Sequence, residues 1–330
     1  MTAEETGTTA GESALLAAAA HGDEAAFREL AEPHRGRLHL HCYRMLGSLD
    51  DADDAVQETL LRAWRGLDRF VPRPSLGAWL HRIATNVCLT SLERRRRRRE
   101  VSLDEAAAAW SGELLHVQPY PDRLLEEVEA RETVELAFVT AIQLLPPKGR
   151  AVLVLRDVLG WTAKETAEAL GASVPAVNSA LQRARATLER ARPLAARPHA
   201  PGGQETERLL LRRFMAAWEA VDVDGLVALL TRDAVMTMPP EPMYVSGAQA
   251  VGRFFSSVPA GGRLERIRLV PTAANGQPAL AAYVLDEPTG VHRAYGVMVL
   301  ALSRDRIAGI VGFAQASIFG RFGLPPELEA

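Results

Sequence analysis

The stretch Leu159–Arg192, LGWTAKETAEALGASVPAVNSALQRARATLERAR, decides how this chain is built. Thr162 with Glu165 three residues on forms a capping box, and Ala163, Thr166, Ala167 and Leu170 give the short helix that follows one small apolar face. Gly171 stops that helix in the left-handed position that follows a last turn, and Ser173 caps the next helix only two residues later. Two helices joined by so short a turn cross steeply, which is a helix-turn-helix; an ordinary helical hairpin is the alternative. On the second helix Val174, Val177, Leu181, Ala184 and Leu188 form the expected buried seam, leaving Ala176, Asn178, Ser179, Gln182, Arg183 and Arg185 exposed or flanking. Asn, Gln and Arg make paired hydrogen bonds to adenine or guanine edges, whereas Ala and Ser let a helix sit deep in a major groove.

Charge supports a polyanionic partner although the chain's net charge is only −3. Leu60–Arg99 holds eleven Arg against Asp68 and Glu93, whereas Asp50–Glu58 holds five acids and no base. Pro146–Leu194 is a second positive block, with eight bases against four acids. Charge sorted in this way points to nucleic acid touched at two places, solvated helix faces being the plainer reading. With 330 residues, 48% of them hydrophobic, there is material for two or three packed domains. No stretch reaches the roughly 18 apolar residues of a membrane span, and Met1–Glu12 is polar and acidic, unlike a signal peptide. A cytoplasmic protein is therefore expected. Cys42 and Cys88 form no C-x-x-C pair, and His39 and His41 have no second ligand cluster at zinc spacing. Both thiols are expected to be buried as small apolar groups, with no metal and no cofactor.

Upstream, Asp50–Leu67 (DDADDAVQETLLRAWRGL) reads as a helix whose acids suit its positive end. Ala52, Val56, Thr59 and Ala63 make its inward seam, and Asp54, Gln57 and Leu61 a second stripe suited to a partner surface. The next helix, Ser75–Leu92 (SLGAWLHRIATNVCLTSL), buries Leu76, Leu80, Ile83 and Val87. Its other line, Trp79, Arg82, Asn86 and Thr90, runs into the six consecutive Arg that include Arg94, Arg95 and Arg96. A flat ring, an amide and guanidinium groups on one face suit unpaired bases and their phosphates. Trp79 could equally be a core residue.

Helical periodicity ends near Arg192. The linker Ala191–Gln204 carries three Pro and two Gly and, if flexible, reaches only about 20 Å. Beyond it lie a helix from Glu205 to about Ala220, the period-two run Ala234–Met238, and Asn275–Gly276 between two strand-like runs, a hairpin signal. Trp218, Met236, Met238, Tyr244, Phe254 and Tyr295 are candidate lining for an apolar pocket in this tail. Asp233, Asp286, His292 and Tyr244 could supply acid or base, but spacing pairs none of them, and Asp233 reads as a structural cap at a helix-to-strand corner.

The order DADDAVQETLLRAW, SLGAWLHRIATNVC, a spacer, then LPPKGRAVLVLRDVLGWTAKETAEALGASVPAVNSALQRARATL resembles the extracytoplasmic-function (ECF) class of bacterial RNA polymerase sigma factors, from about Leu15 to Arg192. The tail's LLRRFMAAWEAVDVDGLVALL and ANGQPALAAYVL resemble the ketosteroid-isomerase and SnoaL-like cone fold. The implied fold class is multidomain: two all-α domains, a sigma region 2 helical bundle and a sigma region 4 helix-turn-helix, followed by an α+β cone-shaped SnoaL-like domain. The segments are then a disordered 1–12, region 2 at 13–100, a connection at 101–125, region 4 at 126–192, a linker at 193–204, the SnoaL-like domain at 205–322 and an end piece at 323–330. The resemblance implies core RNA polymerase, through its β′ clamp helices and β subunit, and promoter DNA as partners. By position, Asp54, Gln57, Glu58 and Leu61 would face the polymerase, with Trp79, Arg82, Asn86 and Arg94–Arg96 on the minus-ten side. Ala176, Asn178, Ser179, Gln182, Arg183 and Arg185 would face the minus-thirty-five element. Thr90 and Ser91 depart from the many members that carry Asp shortly after this Asn. The implied non-enzymatic factor has a regulatory tail that takes a small apolar ligand; the alternatives are an operator-binding regulator with a ligand-sensing domain and a DNA-tethered enzyme.

Overall fold

The computed structural model describes residues 10–70, 75–101, 117–125, 134–191, 200–239 and 241–329. Of the expected disordered start, 1–12, residues 1–9 lie outside the described residues, as do the side chains of Arg96–Arg99, whereas 10–12 already form the first turn of a helix. Helices in chain order are α1 (Ala10–Ala20), α2 (Glu24–Ala31), α3 (Arg35–Leu46), α4 (Leu49–Gly66), α5 (Leu76–Val101), α6 (Leu136–Gln143), α7 (Pro147–Leu153), α8 (Ala163–Leu170), α9 (Val174–Ala191), α10 (Gln204–Glu219), α11 (Val223–Ala228) and α12 (Ala248–Ser257). Strands are β1 (Ala200–Pro201), β2 (Leu230–Met238), β3 (Glu241–Ser246), β4 (Ile267–Ala274), β5 (Gln277–Asp286), β6 (Val291–Arg304), β7 (Arg306–Phe313) and β8 (Glu327–Leu328).

Two compact units result: residues 1–105 with 145–187, and residues 106–144 with 188–330. In the first, α3, α4 and α5 pack together around Leu38, Cys42, Met45, Val56, Leu80 and Ala84. The α4 seam is the one its spacing predicts, with Ala52, Val56, Thr59 and Ala63 buried. Thr59 can be buried because its hydroxyl donates to the Ala55 carbonyl at 2.6 Å. Gly47, at φ 76°, closes α3, and the Ser48 side chain then accepts from the Asp51 N–H to start α4. Cys42 and Cys88 are both buried and free. Arg150 of α7 is buried too, its guanidinium donating to the Met45 carbonyl at 2.5 Å and to the Leu145 carbonyl at 3.2 Å. Met45 sits in the last turn of α3, where carbonyls lack helical partners and a cation is favoured. Helix α8 opens with the expected capping box, and Gly171 closes it in the left-handed conformation.

The second unit is built on a sheet ordered β3-β2-β7-β6-β5-β4, antiparallel along this order except for β2 beside β7, with β1 added in parallel to one end of β6 and β8 antiparallel to its other end. One face packs Phe214, Trp218, Leu226, Val251 and Phe255 of α10–α12 onto Met236, Leu280, Ala282, Leu300 and Ile310. The alternate side chains Ala279, Ala281, Tyr283, Val299 and Ala301 are equally buried. An antiparallel sheet that leaves neither face to water needs a second cover. Phe319 of the 3-10 helix Ala316–Phe322 supplies part of it, its ring 5.0 Å from that of Tyr283.

The connection between the two sequence-read helical domains and the first helix of the second of them, α6, belong to this unit as well. Asn275 and Gly276 form the predicted two-residue hairpin, both with positive φ, yet Asn275 is fully buried. It exchanges backbone and side-chain hydrogen bonds with Tyr120 at 2.8 Å each, and its amide donates to the Val134 carbonyl at 2.8 Å. Gly276 N–H donates to Asp122 at 2.8 Å, and Leu136 N–H donates to the Gln277 side chain at 3.0 Å. The hairpin tip thus holds the segment 117–136 on both sides of its undescribed part. Asp233 lies on β2 and is no helix cap; Asp222 does that work for α11, accepting from the Gly225 N–H at 2.8 Å.

Candidate nucleic-acid interface

Burying its seam leaves α4 with Asp54, Gln57 and Leu61 outward, Leu61 being 49% exposed, while Glu58 is engaged by Arg62 at 2.6 Å. Leu61, Gln57 and Trp64 join Phe27, Arg28 and Ala31 of α2 around an open groove of about 530 Å³. The α2 half of this groove is absent from the sequence reading; Phe27, whose ring lies 5.2 Å from that of Trp64, was its available signal.

Along α5, Arg82 and Asn86 are exposed and one turn apart, the Asn86 amide donating to the Arg82 carbonyl at 3.0 Å. Thr90 donates to the Asn86 carbonyl at 2.8 Å, so this line is ordered by its own helix. Trp79 is half-buried against Phe70 with ring centroids 4.9 Å apart, a position between the core and platform readings. Arg94 is exposed; Arg95 is ion-paired with Asp51. Behind this face His41 is fully buried, its Nε2 2.9 Å from the Thr85 hydroxyl. Burial first, then the neighbouring His81 and Arg44, hold His41 well below the usual histidine value. Cys42 is pushed up by its hydrogen bond with Cys88 and by burial, which leaves it a neutral thiol.

Helix α9 buries Val177, Leu181 and Ala184 and exposes Ala176, Asn178, Ser179, Gln182 and Arg183. Val174, expected in the seam, is 39% exposed: as the first residue of α9 it precedes the turn at which the seam closes. Arg185 is exposed but held by both oxygens of Asp157, at 2.9 and 2.7 Å, which raises its affinity for its proton. The Glu165 carboxyl is lowered by the hydroxyl and N–H of Thr162, keeping the α8 cap charged.

The tail encloses an apolar cavity of about 80 Å³ lined by Trp218, Met236, Met238, Phe254, Met298 and Tyr295 among others. Tyr244 is not in this wall; it is 62% exposed. It pairs across the strands with Thr237, and partners in register share a face, so both point away from the side on which Met236 and Met238 lie. Asp286 is taken by Arg293 at 3.0 Å, and neither it, Asp233 nor His292 lines the cavity.

Residues 30–98 match the Sigma-70 region 2 family, residues 135–188 Sigma-70, region 4, and residues 211–310 the SnoaL-like domain. The chain is 45% identical over 316 residues to the ECF RNA polymerase sigma factor SigG of Mycobacterium tuberculosis, covering 92% of this chain and 85% of that protein. SigM of the same species is 35% identical over 176 residues, covering 53% of this chain and 82% of that one. The crystal structure of the M. tuberculosis extracytoplasmic function sigma factor SigJ superposes with a TM-score of 0.63 at 25% identity, covering 89% of this chain and 98% of that one. Region 2 helices, a capped helix-turn-helix and a SnoaL-like tail, in that order over nearly the whole of such a relative, make this chain a member of the ECF RNA polymerase sigma factors.

Proposed function

We propose that this sigma factor docks on core polymerase through the α2–α4 groove, engages melted minus-ten bases with the Arg82–Asn86 line of α5, and reads the minus-thirty-five duplex with α9. The observation that carries this reading is the α9 face: Asn178, Gln182 and Arg183 stand outward on a helix whose seam is buried, with Ala176 and Ser179 small enough to let it approach base edges. Arg185 reaches DNA only by exchanging Asp157 for a phosphate, so its part is backbone contact. Arg94 adds sequence-blind attraction.

The tail acts as a regulator and not as an enzyme. It grips the segment that joins the two promoter-binding regions, and its cavity wall, among the described residues, carries no carboxylate or imidazole to move a proton. Run-off transcription with core polymerase tests the whole reading. Leu61→Ala is expected to weaken the complex with core enzyme. Gln182→Ala is expected to leave that complex intact while lowering initiation from matched promoters. Asn275→Ala, which loosens the hold on residues 117–136, is expected to change promoter output while the other two surfaces are untouched. Wild-type output from all three variants overturns the assignment.

A further inference from the structure

The cavity and the grip on the connecting segment are built from the same strands. Inside, the one indole N–H is already spoken for, since Trp218 donates to the Ile267 carbonyl at 3.1 Å. Among the described lining residues there is no Asp, Glu, His, Lys or Arg. An ionised guest would give up its hydration with no opposite charge among the described lining residues to replace it, which costs more than apolar contact returns. A neutral ring meets the thioethers of Met236, Met238 and Met298, which adapt their shape and make favourable contacts with aromatic edges. At about 80 Å³ the space accepts one ring once the flexible methionines give way. Its mouth is rimmed by Val258, 54% exposed, and Tyr295, 49% exposed.

Extending the regulatory reading of the tail, on which it rests, we propose that this cavity receives a neutral single-ring apolar molecule and that occupancy strengthens the hold on residues 117–124. The wall residues Gly312 and Ala314 lead directly into Gln315, whose side chain accepts from Gln118 at 3.2 Å. The 3-10 helix that follows offers the Gly320 and Arg321 carbonyls to the Arg123 guanidinium at 3.3 and 2.5 Å. On β5, Ala282 lines the cavity while its neighbour Tyr283 packs on Phe319 and donates to the Pro325 carbonyl at 3.0 Å. A guest that binds only the ordered wall lowers the population of its opened form, and at ten times its dissociation constant that population falls about tenfold.

The test uses the full chain, toluene as the neutral probe and benzoate as its charged counterpart, with calorimetry for binding and amide exchange for the segment 117–124. Saturable toluene binding is expected, weakened at least about tenfold by Ala282→Leu within the cavity and by Ala314→Leu at its exposed edge, together with roughly tenfold slower exchange at 117–124. Toluene binding that is absent, or indifferent to Ala314→Leu, overturns the cavity site, and benzoate binding as tightly overturns the ligand class. Toluene that binds there yet leaves exchange at 117–124 unchanged or faster overturns the coupling alone. The hold itself is checked separately, because Asn275→Ala should speed the same exchange without any probe; if it does not, the regulatory reading fails on its own account.

Discussion

Gln182 and Arg183 stand outward on α9 without the intramolecular carboxylate that holds Arg185. If either reads a base edge, its replacement by Ala costs about 1–3 kcal/mol at a matched minus-thirty-five site and much less on random duplex. Binding to both DNAs at one salt concentration checks this, and equal losses would show that the side chain does not read sequence. His41 makes a second prediction, in the fold of region 2. Its neutral form is the one that burial beside His81 and Arg44 selects, so the folded value lies below the unfolded one. The contribution is complete above the unfolded value of about 6.5 and is lost as pH falls below it toward the folded value, because the unfolded chain then binds the proton more readily. Thermal unfolding followed from pH 7.5 to 5.5 should show a midpoint falling with acidification, and a shallower fall in His41→Gln. Single residues were also where the sequence misled. Val174 is exposed because it opens α9 ahead of the turn at which the seam closes, and Tyr244 turns outward with its cross-strand partner Thr237, a pairing that periodicity does not name.

Elements fared better, because the forces that define them are local. The α4 seam, the Thr162–Glu165 box, the Gly171 stop and the Asn275–Gly276 turn follow from residues a few positions apart, and all four stand in the structure as read. Thr162→Ala removes the cap and should destabilise the first unit by about 0.5–2 kcal/mol in urea titration. The same variant should reduce minus-thirty-five affinity only through that loss. What the hairpin is for was not legible, since its partner Tyr120 lies 155 residues away. Asn275→Ala forces a Cβ-bearing residue without a polar side chain into a left-handed position and leaves the Tyr120 N–H and the Val134 carbonyl short of a partner. That costs about 1–3 kcal/mol for each buried group. Limited trypsinolysis should then cut faster after Arg123, whose guanidinium is otherwise bound to Gly320 and Arg321.

Over the whole molecule, charge and packing follow different divisions. Positive charge collects in two blocks, Leu60–Arg99 and Pro146–Leu194, and Arg94→Ala in the first of them should weaken all promoters alike, lowering the slope of log affinity against log salt by about 1. Packing instead cuts through region 4: α6 belongs to the same compact unit as the tail, and α7–α8 and most of α9 to the unit that holds region 2. A reading by sequence sees three consecutive domains because composition changes along the chain, whereas compactness is decided by which buried hydrogen bonds close, and those at Asn275 and Gln277 close backwards. Separated from the stretch around Tyr120 and Leu136, the tail therefore loses the partners on which its hairpin closes. Grafting the C-terminal domain alone onto a foreign sigma factor would yield a chimera with an empty socket, its amide-bearing tip facing water where a native strap had been.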